Sequence, residues 1–214
     1  MKFYYGADRL VVNPEFGKGK ANNDYGVGFY LTKDKEMARL WASKNVNGGY
    51  VIEYDVDLKD LSIINLNTIE DDDVLRWIAL LASHRFDIAT KRSKEEVFEW
   101  LFKNYSLPIS GYDVIIGYRA DDSYFDYSRD FIQNNLSLEL LKDAMRIGKL
   151  GIQYVLMSRK AFTKIKYLSS ERVEHSEEYA LFRRKANNEY LTLKKEDDIN
   201  NTFIRDLMRR KKND

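Results

Sequence analysis

The sequence predicts an α+β domain in which short strands are interrupted by helices. Aromatic and β-branched runs too short for helices recur along the chain. Between them lie amphipathic stretches with apolar residues at i, i+3 and i+4. The order of the two patterns lacks the regular strand–helix alternation of a doubly wound parallel sheet.

Phe3-Tyr4-Tyr5 reads as an opening strand stopped by Gly6, followed by a polar loop from Gly17 to Asp24. Phe29-Tyr30-Leu31-Thr32 is a second short strand, entered through Gly26-Val27-Gly28. Thr32 or Asp34 is placed to cap a helix with Met37, Leu40 and Trp41 on one face. Tyr50 to Val56 alternates Tyr50, Ile52, Tyr54 and Val56 against Val51, Glu53 and Asp55, the pattern of a half-buried strand.

Val74 to Phe86 is expected to be helical, with Val74, Trp77, Ile78 and Leu81 in one stripe. Ser93-Lys94-Glu95-Glu96 has the form of a capping box before a helix carrying Val97, Trp100 and Leu101, ended by Leu107-Pro108. Asp113 to Gly117 is a buried-strand run. Ser137 caps a helix through Leu140, Leu141 and Met145 that Gly148 closes. Ile152 to Ser158 is another strand, and Ala161 to Leu168 leads to a last one. After Ser169 aliphatics thin out and charges dominate. Residues 1–168 are therefore expected to form the domain, and 169–214 a charged, helical extension.

Composition narrows the chemistry. Lys and Arg (35) nearly balance Asp and Glu (34), so net charge does not argue for a polyanion partner. Cysteine is absent, which excludes disulfides, thiolate metal sites and a cysteine nucleophile. The two histidines, His84 and His175, are far apart and lack metal-ligand or triad spacing, so both read as structural and no metal is expected. No apolar run approaches the ~20 residues that span a bilayer, and Met1 to Gly6 lacks a leader's apolar block. A cytoplasmic protein with no membrane partner is expected.

The chemistry-bearing residues lie in three separated segments: Tyr4-Tyr5-Gly6, Gly26-Val27-Gly28-Phe29-Tyr30-Leu31-Thr32, and Ile152-Gln153-Tyr154-Val155-Leu156. Aromatic faces suit a flat cationic ring, and glycines let a ligand approach the backbone. Taken singly, Tyr30 and Trp41 read equally well as core aromatics, and Gly26 and Gly28 as turn residues.

As a set, the segments resemble the ADP-ribosyltransferase superfamily, its diphtheria-toxin and poly-ADP-ribose polymerase branch in particular. A bacterial branch is closer still. Its pattern is similar to Asn23-Asp24-Tyr25-Gly26-Val27-Gly28-Phe29-Tyr30-Leu31-Thr32, the Ala38–Ala42 helix with Trp41, Asp113 to Gly117 with Ala120-Asp121-Asp122, and Gln153-Tyr154. The resemblance covers roughly residues 3–168. It implies an ADP-ribosyltransferase-like fold around an NAD cleft, with NAD as co-substrate.

In that reading Tyr30 stacks on nicotinamide, eleven residues before a second aromatic, Trp41. Gly6 anchors the carboxamide, Gly28 and Thr32 border the cofactor, and Gln153 holds the ribose. Tyr5 stands where the superfamily has His or Arg, and Gln153 where it has glutamate. The catalytic set is thus Gln153, Tyr30 and Tyr5, with Asp121 or Asp122 as substitute carboxylates. Arg9, Lys18, Lys20 and Arg85 are candidates for the missing cation.

The implied activity is mono-ADP-ribosyl transfer to a protein or nucleic-acid acceptor. The setting is a toxin or phage-defence effector with an antitoxin-like partner. The alternative is a catalytically silent NAD or ADP-ribose-binding module. A weaker third reading places nucleic acid on the basic Arg209–Lys212 end.

Overall fold

The computed structural model describes residues 1–67, 70–120, 122–147 and 151–211. It is a mixed α+β structure with two small sheets. The chain forms two compact units. The first comprises Met1–Asn67, Pro108–Arg119 and Leu150–Arg184; the second comprises Thr68–Leu107, Ala120–Lys149 and Lys185–Asp214.

In the first unit, β1 (Lys2–Ala7), β3 (Gly49–Val56) and β7 (Ile165–Val173) form an antiparallel sheet in the order β1-β3-β7. The second sheet has the order β2-β6-β5-β4, from β2 (Phe29–Leu31), β6 (Ile152–Leu156), β5 (Val114–Tyr118) and β4 (Ile63–Asn65). Among the described residues only β4 and β5 pair in parallel. Phe3, Ile52, Tyr54 and Val56 of the first sheet meet Leu31, Val114 and Leu156 of the second in one buried cluster. Alternation along each strand builds that core, since residues two apart share a face.

Helix α1 (Lys35–Ser43) covers the other face of the first sheet, where Ala38 and Ala42 pack on Val51 beside Tyr4. Val51 is therefore buried as well, so the second face of β3 is covered at that end, while Glu53 and Asp55 stay partly exposed. Asp34 caps α1 by accepting from the Met37 N–H at 3.1 Å, so of the two expected caps it is Asp34 that serves. Thr32 Oγ1 accepts from the Asp34 N–H at 3.1 Å and shapes the turn before it. A one-turn helix, α7 (Arg159–Phe162), capped by Ser158, links β6 to β7.

The second unit is helical. It holds α2 (Asp71–Arg85), α3 (Ile88–Ser93), α4 (Glu95–Tyr105), α5 (Asp122–Ile132), α6 (Leu138–Ile147) and α9 (Ile204–Arg210), with the later residues of α8 (Glu178–Lys194). Ser93 does not cap α4. It ends α3, its hydroxyl donating to the Thr90 carbonyl at 2.9 Å, and Lys94 takes the N-cap without a side-chain bond. Ser137 does cap α6, accepting from the Leu140 N–H at 3.1 Å, while Asp197 holds its own N–H at 2.8 Å. Gly148, expected to close α6, lies outside the described residues.

The boundary expected at 168 falls inside β7, which continues to Val173 and pairs residue by residue with β3 as far as Gly49. Residues 169–173 thus belong to the first sheet, held by backbone pairing rather than by apolar side chains. Among the described residues no helix is long and apolar enough to cross a membrane.

Candidate functional site

The two sheets of the first unit touch at one backbone bridge. The Tyr4 N–H donates to the Thr32 carbonyl at 2.7 Å, and the Thr32 N–H to the Tyr4 carbonyl at 3.0 Å. Tyr4 thereby turns both backbone groups away from β3, so its opposition to Glu53 is the non-hydrogen-bonded kind. Gly6, two residues on, directs its N–H and C=O to the same open edge. Two residues before Thr32 on the antiparallel strand stands Tyr30. No pairing of β1 with β2 beyond the bridge is present among the described residues. The strands separate there, with an unpaired donor–acceptor pair on one side and an aromatic on the other.

Register decides which side chains share Tyr30's face. Tyr30 opposes Val155, Ile115 opposes Val155, and Gly117 opposes Gln153. Cross-strand partners and residues two apart point the same way. Tyr30, Thr32, Gln153 and Gly117 therefore share the face opposite the intersheet core. Gln153 is only 5% exposed, and its Oε1 has no partner among the described residues. A buried polar atom without a partner costs about 1–3 kcal/mol, which makes this Oε1 a candidate acceptor.

Tyr25, 1% exposed, lies across this face. A methyl group at Gly117 would overlap its phenol oxygen, which donates to the Tyr118 carbonyl at 2.6 Å. The Tyr30 hydroxyl accepts from the Tyr25 N–H at 3.0 Å and donates to the Gly26 carbonyl at 2.7 Å. Gly26 has φ of 76°, the left-handed region where a side chain is strained. Loop 23–28 is thus clamped by Tyr30's hydroxyl, and the Tyr25 and Tyr30 ring centroids lie 6.4 Å apart. Asp24 beside it is a carboxylate only 6% exposed, which its motif position alone did not single out.

On the other flank α1 crosses β1 closely. A methyl on Gly6 would overlap the Ala38 carbonyl and approach Trp41 Cβ to 3.0 Å. The glycine is required there by helix packing, while its backbone groups face the open edge. Trp41 is 7% exposed and packs with Met37 and Tyr179. Its ring carries the Arg119 guanidinium, whose central carbon is 3.9 Å from the ring centroid. Arg119 follows β5 directly, and its N–H donates to the Gly151 carbonyl at 3.4 Å, at the start of β6. Trp41 Nε1 and Arg119 Nη1 are both buried without partners among the described residues.

The structure therefore brings Gly6, Tyr30, Thr32, Trp41 and Gln153 to one region, with Tyr25 and Arg119 added. Sequence reading missed Arg119, because a single Arg after a strand has no motif. It bears on three of the expected residues. Thr32 uses its backbone on Tyr4 and accepts from the Asp34 N–H with its hydroxyl oxygen, which keeps its own O–H as a donor. At Gly28 a methyl would strike Val155 and Met157, so packing against β6 also requires a glycine there. Tyr5 does not reach this face at all. It turns into the intersheet core, its ring centroid 4.7 Å from that of Phe29, and burial raises its phenol's pKa. Odd–even alternation forces this, since Gly6 and Tyr5 are adjacent and point to opposite faces.

Asp121 lies outside the described residues, and Asp122 opens α5 with its side chain likewise outside them. Of the candidate cations, Arg85 donates to the Ala120 carbonyl at 2.9 Å within the second unit. Among the described residues no acidic or histidine cluster is arranged to hold a metal. A cleft of about 310 Å³ in the second unit, lined by Arg92, Lys94, Glu96, Asn134 and Arg205 among others, contains none of these site residues and mixes both charges.

No curated protein and no solved structure matches the chain. A family model does, over residues 1–167, the span that holds β1, the clamped loop, Trp41, Arg119 and Gln153. The chain belongs to the family described as "Protein of unknown function (DUF3990)".

Proposed function

We propose that the open edge between Gly6 and Tyr30 binds the nicotinamide end of NAD, and that the protein is a mono-ADP-ribosyltransferase with an ADP-ribosyltransferase-like fold. The observation that carries this reading is the unpaired N–H and C=O of Gly6 facing Tyr30 across separating strands. A primary carboxamide needs that complement: the N–H donates to its oxygen and the C=O accepts from its NH₂. Tyr30 offers its ring face to the cationic heterocycle. The buried Oε1 of Gln153 accepts from a ribose hydroxyl.

In the transfer, the bond between ribose C1′ and the nicotinamide nitrogen breaks, and nicotinamide leaves with the electron pair. An acceptor nucleophile on a protein or nucleic acid then bonds to C1′ and loses its proton. Gln153 orients the ribose as positive charge develops, without the charge stabilisation a carboxylate gives. The toxin or defence setting and the antitoxin-like partner follow from the resemblance.

A second reading, a silent NAD or ADP-ribose-binding module, is favoured by one observation: Tyr5 is turned into the core while position 153 is a neutral amide. Incubating the protein with labelled NAD and a lysate, then separating protein, RNA and DNA, tests both. Label in one fraction with stoichiometric nicotinamide release supports transfer. Binding without release supports the module. A ligand bound only by the native state raises stability by about 2.7 kcal/mol at a hundredfold excess over Kd. A melting temperature indifferent to both NAD and ADP-ribose in large excess would end both readings.

A further inference from the structure

We propose that Arg119 is the oxyanion-binding residue of this site, held by Trp41 to receive a phosphate of the ligand; the inference rests on the NAD reading above. A dinucleotide brings a diphosphate, and this site needs a positive charge to meet it. Three other cations of the first unit, on α1 and the turn before it, are engaged elsewhere. Lys35 pairs with Glu171 at 2.9 Å, Arg39 with Glu178 at 2.6 Å, and Lys33 lies over the Tyr154 ring at 4.9 Å, on the opposite sheet face. Arg119 has no carboxylate partner among the described residues, and its Nη1 is buried and unpartnered.

The stack on Trp41 explains how such a charge is kept in place. A guanidinium lying flat on an indole satisfies its face through cation–π attraction and leaves its in-plane N–H donors free. Those donors form the planar fork that matches two phosphate oxygens. Two connections fix its position: the backbone bond to Gly151, at the start of β6, and the contact of Trp41 with Gly6 on the other flank. Gln153 is two residues beyond Gly151 on the same strand. The ring of Trp41 is therefore a platform for Arg119, rather than the second nicotinamide stack that its spacing from Tyr30 suggests.

Titration calorimetry of the full chain with NAD, ADP-ribose and nicotinamide tests the assignment. Arg119→Met, which keeps an apolar stem over Trp41, should weaken NAD and ADP-ribose about ten- to a hundredfold, the size of a lost charge-assisted hydrogen bond or two. Nicotinamide affinity should stay at the wild-type value. Added salt should weaken NAD binding in the wild type and do so less in the variant. Arg119→Lys, which retains the charge but not the fork, should fall between them and serves if the Met variant loosens α1. Equal loss of nicotinamide and ADP-ribose in both variants, or wild-type affinity for all three probes, overturns the role of Arg119. Wild-type protein that binds ADP-ribose but not nicotinamide overturns the nicotinamide reading and leaves Arg119 standing.

Discussion

Tyr25 lies so close over Gly117 that the glycine has no room for even a methyl group on that side, and the phenol above it donates to the next residue's carbonyl, Tyr118, at 2.6 Å. The pair joins the loop before β2 to the strand that opposes Gln153. Gly117→Ala should therefore push Tyr25 off the sheet and release loop 23–28. Overpacking of this kind costs about 1–3 kcal/mol. Thermal melting should show the loss, and NAD should stabilise the variant less than the wild type. An unchanged melting temperature would mean that Tyr25 can be accommodated elsewhere.

Tyr30 combines a clamp and a ring, and the two separate by mutation. Tyr30→Phe removes the hydroxyl bonded to Tyr25 and Gly26 but keeps the ring. It should cost about 1 kcal/mol or somewhat more of stability, while retaining an NAD-induced shift. Tyr30→Ala should lose that shift as well. Equal NAD responses in the two variants would exclude a stacking role for the ring.

Gln153→Ala should reduce nicotinamide release by roughly 10²-fold while leaving much of the NAD affinity, because the ribose contact strengthens as charge develops. Gln153→Glu restores the carboxylate that the resembled superfamily carries, and should preserve or raise NAD cleavage, chiefly as hydrolysis. Release assays and binding titrations on all three proteins separate the effects. If Gln153→Ala matches the parent in both, Gln153 is outside the site.

Asp113 gives the stability an acid-sensitive component. Its carboxylate accepts from the Ser158 hydroxyl and from the Ser62 N–H at 2.9 Å, with Lys160 at 3.5 Å, and these hold its pKa below the ordinary value. In the unfolded chain it titrates near about 3.9. A depressed native pKa stabilises above the unfolded value, and that contribution is lost as pH falls from there through the lower native one. Asp113→Asn should lower the melting temperature at neutral pH and flatten the acid side of its pH profile below about pH 4. Parallel profiles for the two proteins would contradict this.

Ending the chain at 168 should abolish folding of the first unit. The cut removes Ser169 to Val173 from their pairing with β3 and takes Tyr179 from its contact with Trp41 and Met37. Light scattering and far-ultraviolet circular dichroism of the truncated chain should report aggregation and lost structure. A soluble, cooperatively melting 1–168 fragment would show those contacts to be dispensable.

The sequence by itself determined the elements whose signals are local. Alternation in Tyr50–Val56 and the spacing of Met37, Leu40 and Trp41 are set by strand and helix periods, and β3 and α1 form where they predict. The caps at Asp34 and Ser137 are likewise short-range bonds written in a few residues. Tertiary structure decided what depends on partners distant in the chain. Helix α3, strand β4 and the course of β7 past 168 carried no periodic signal strong enough to be read, because each is held by neighbours or backbone pairing rather than by its own apolar pattern. Around the site the division is the same. The glycine–aromatic segment marked Tyr30 and the late strand marked Gln153, but only the Tyr4–Thr32 bridge places Gly6 opposite Tyr30, and only strand alternation turns Tyr5 away from them. Arg119 stacks on a ring carried by a helix far from it in the chain, a relation between side chains that no local spacing encodes.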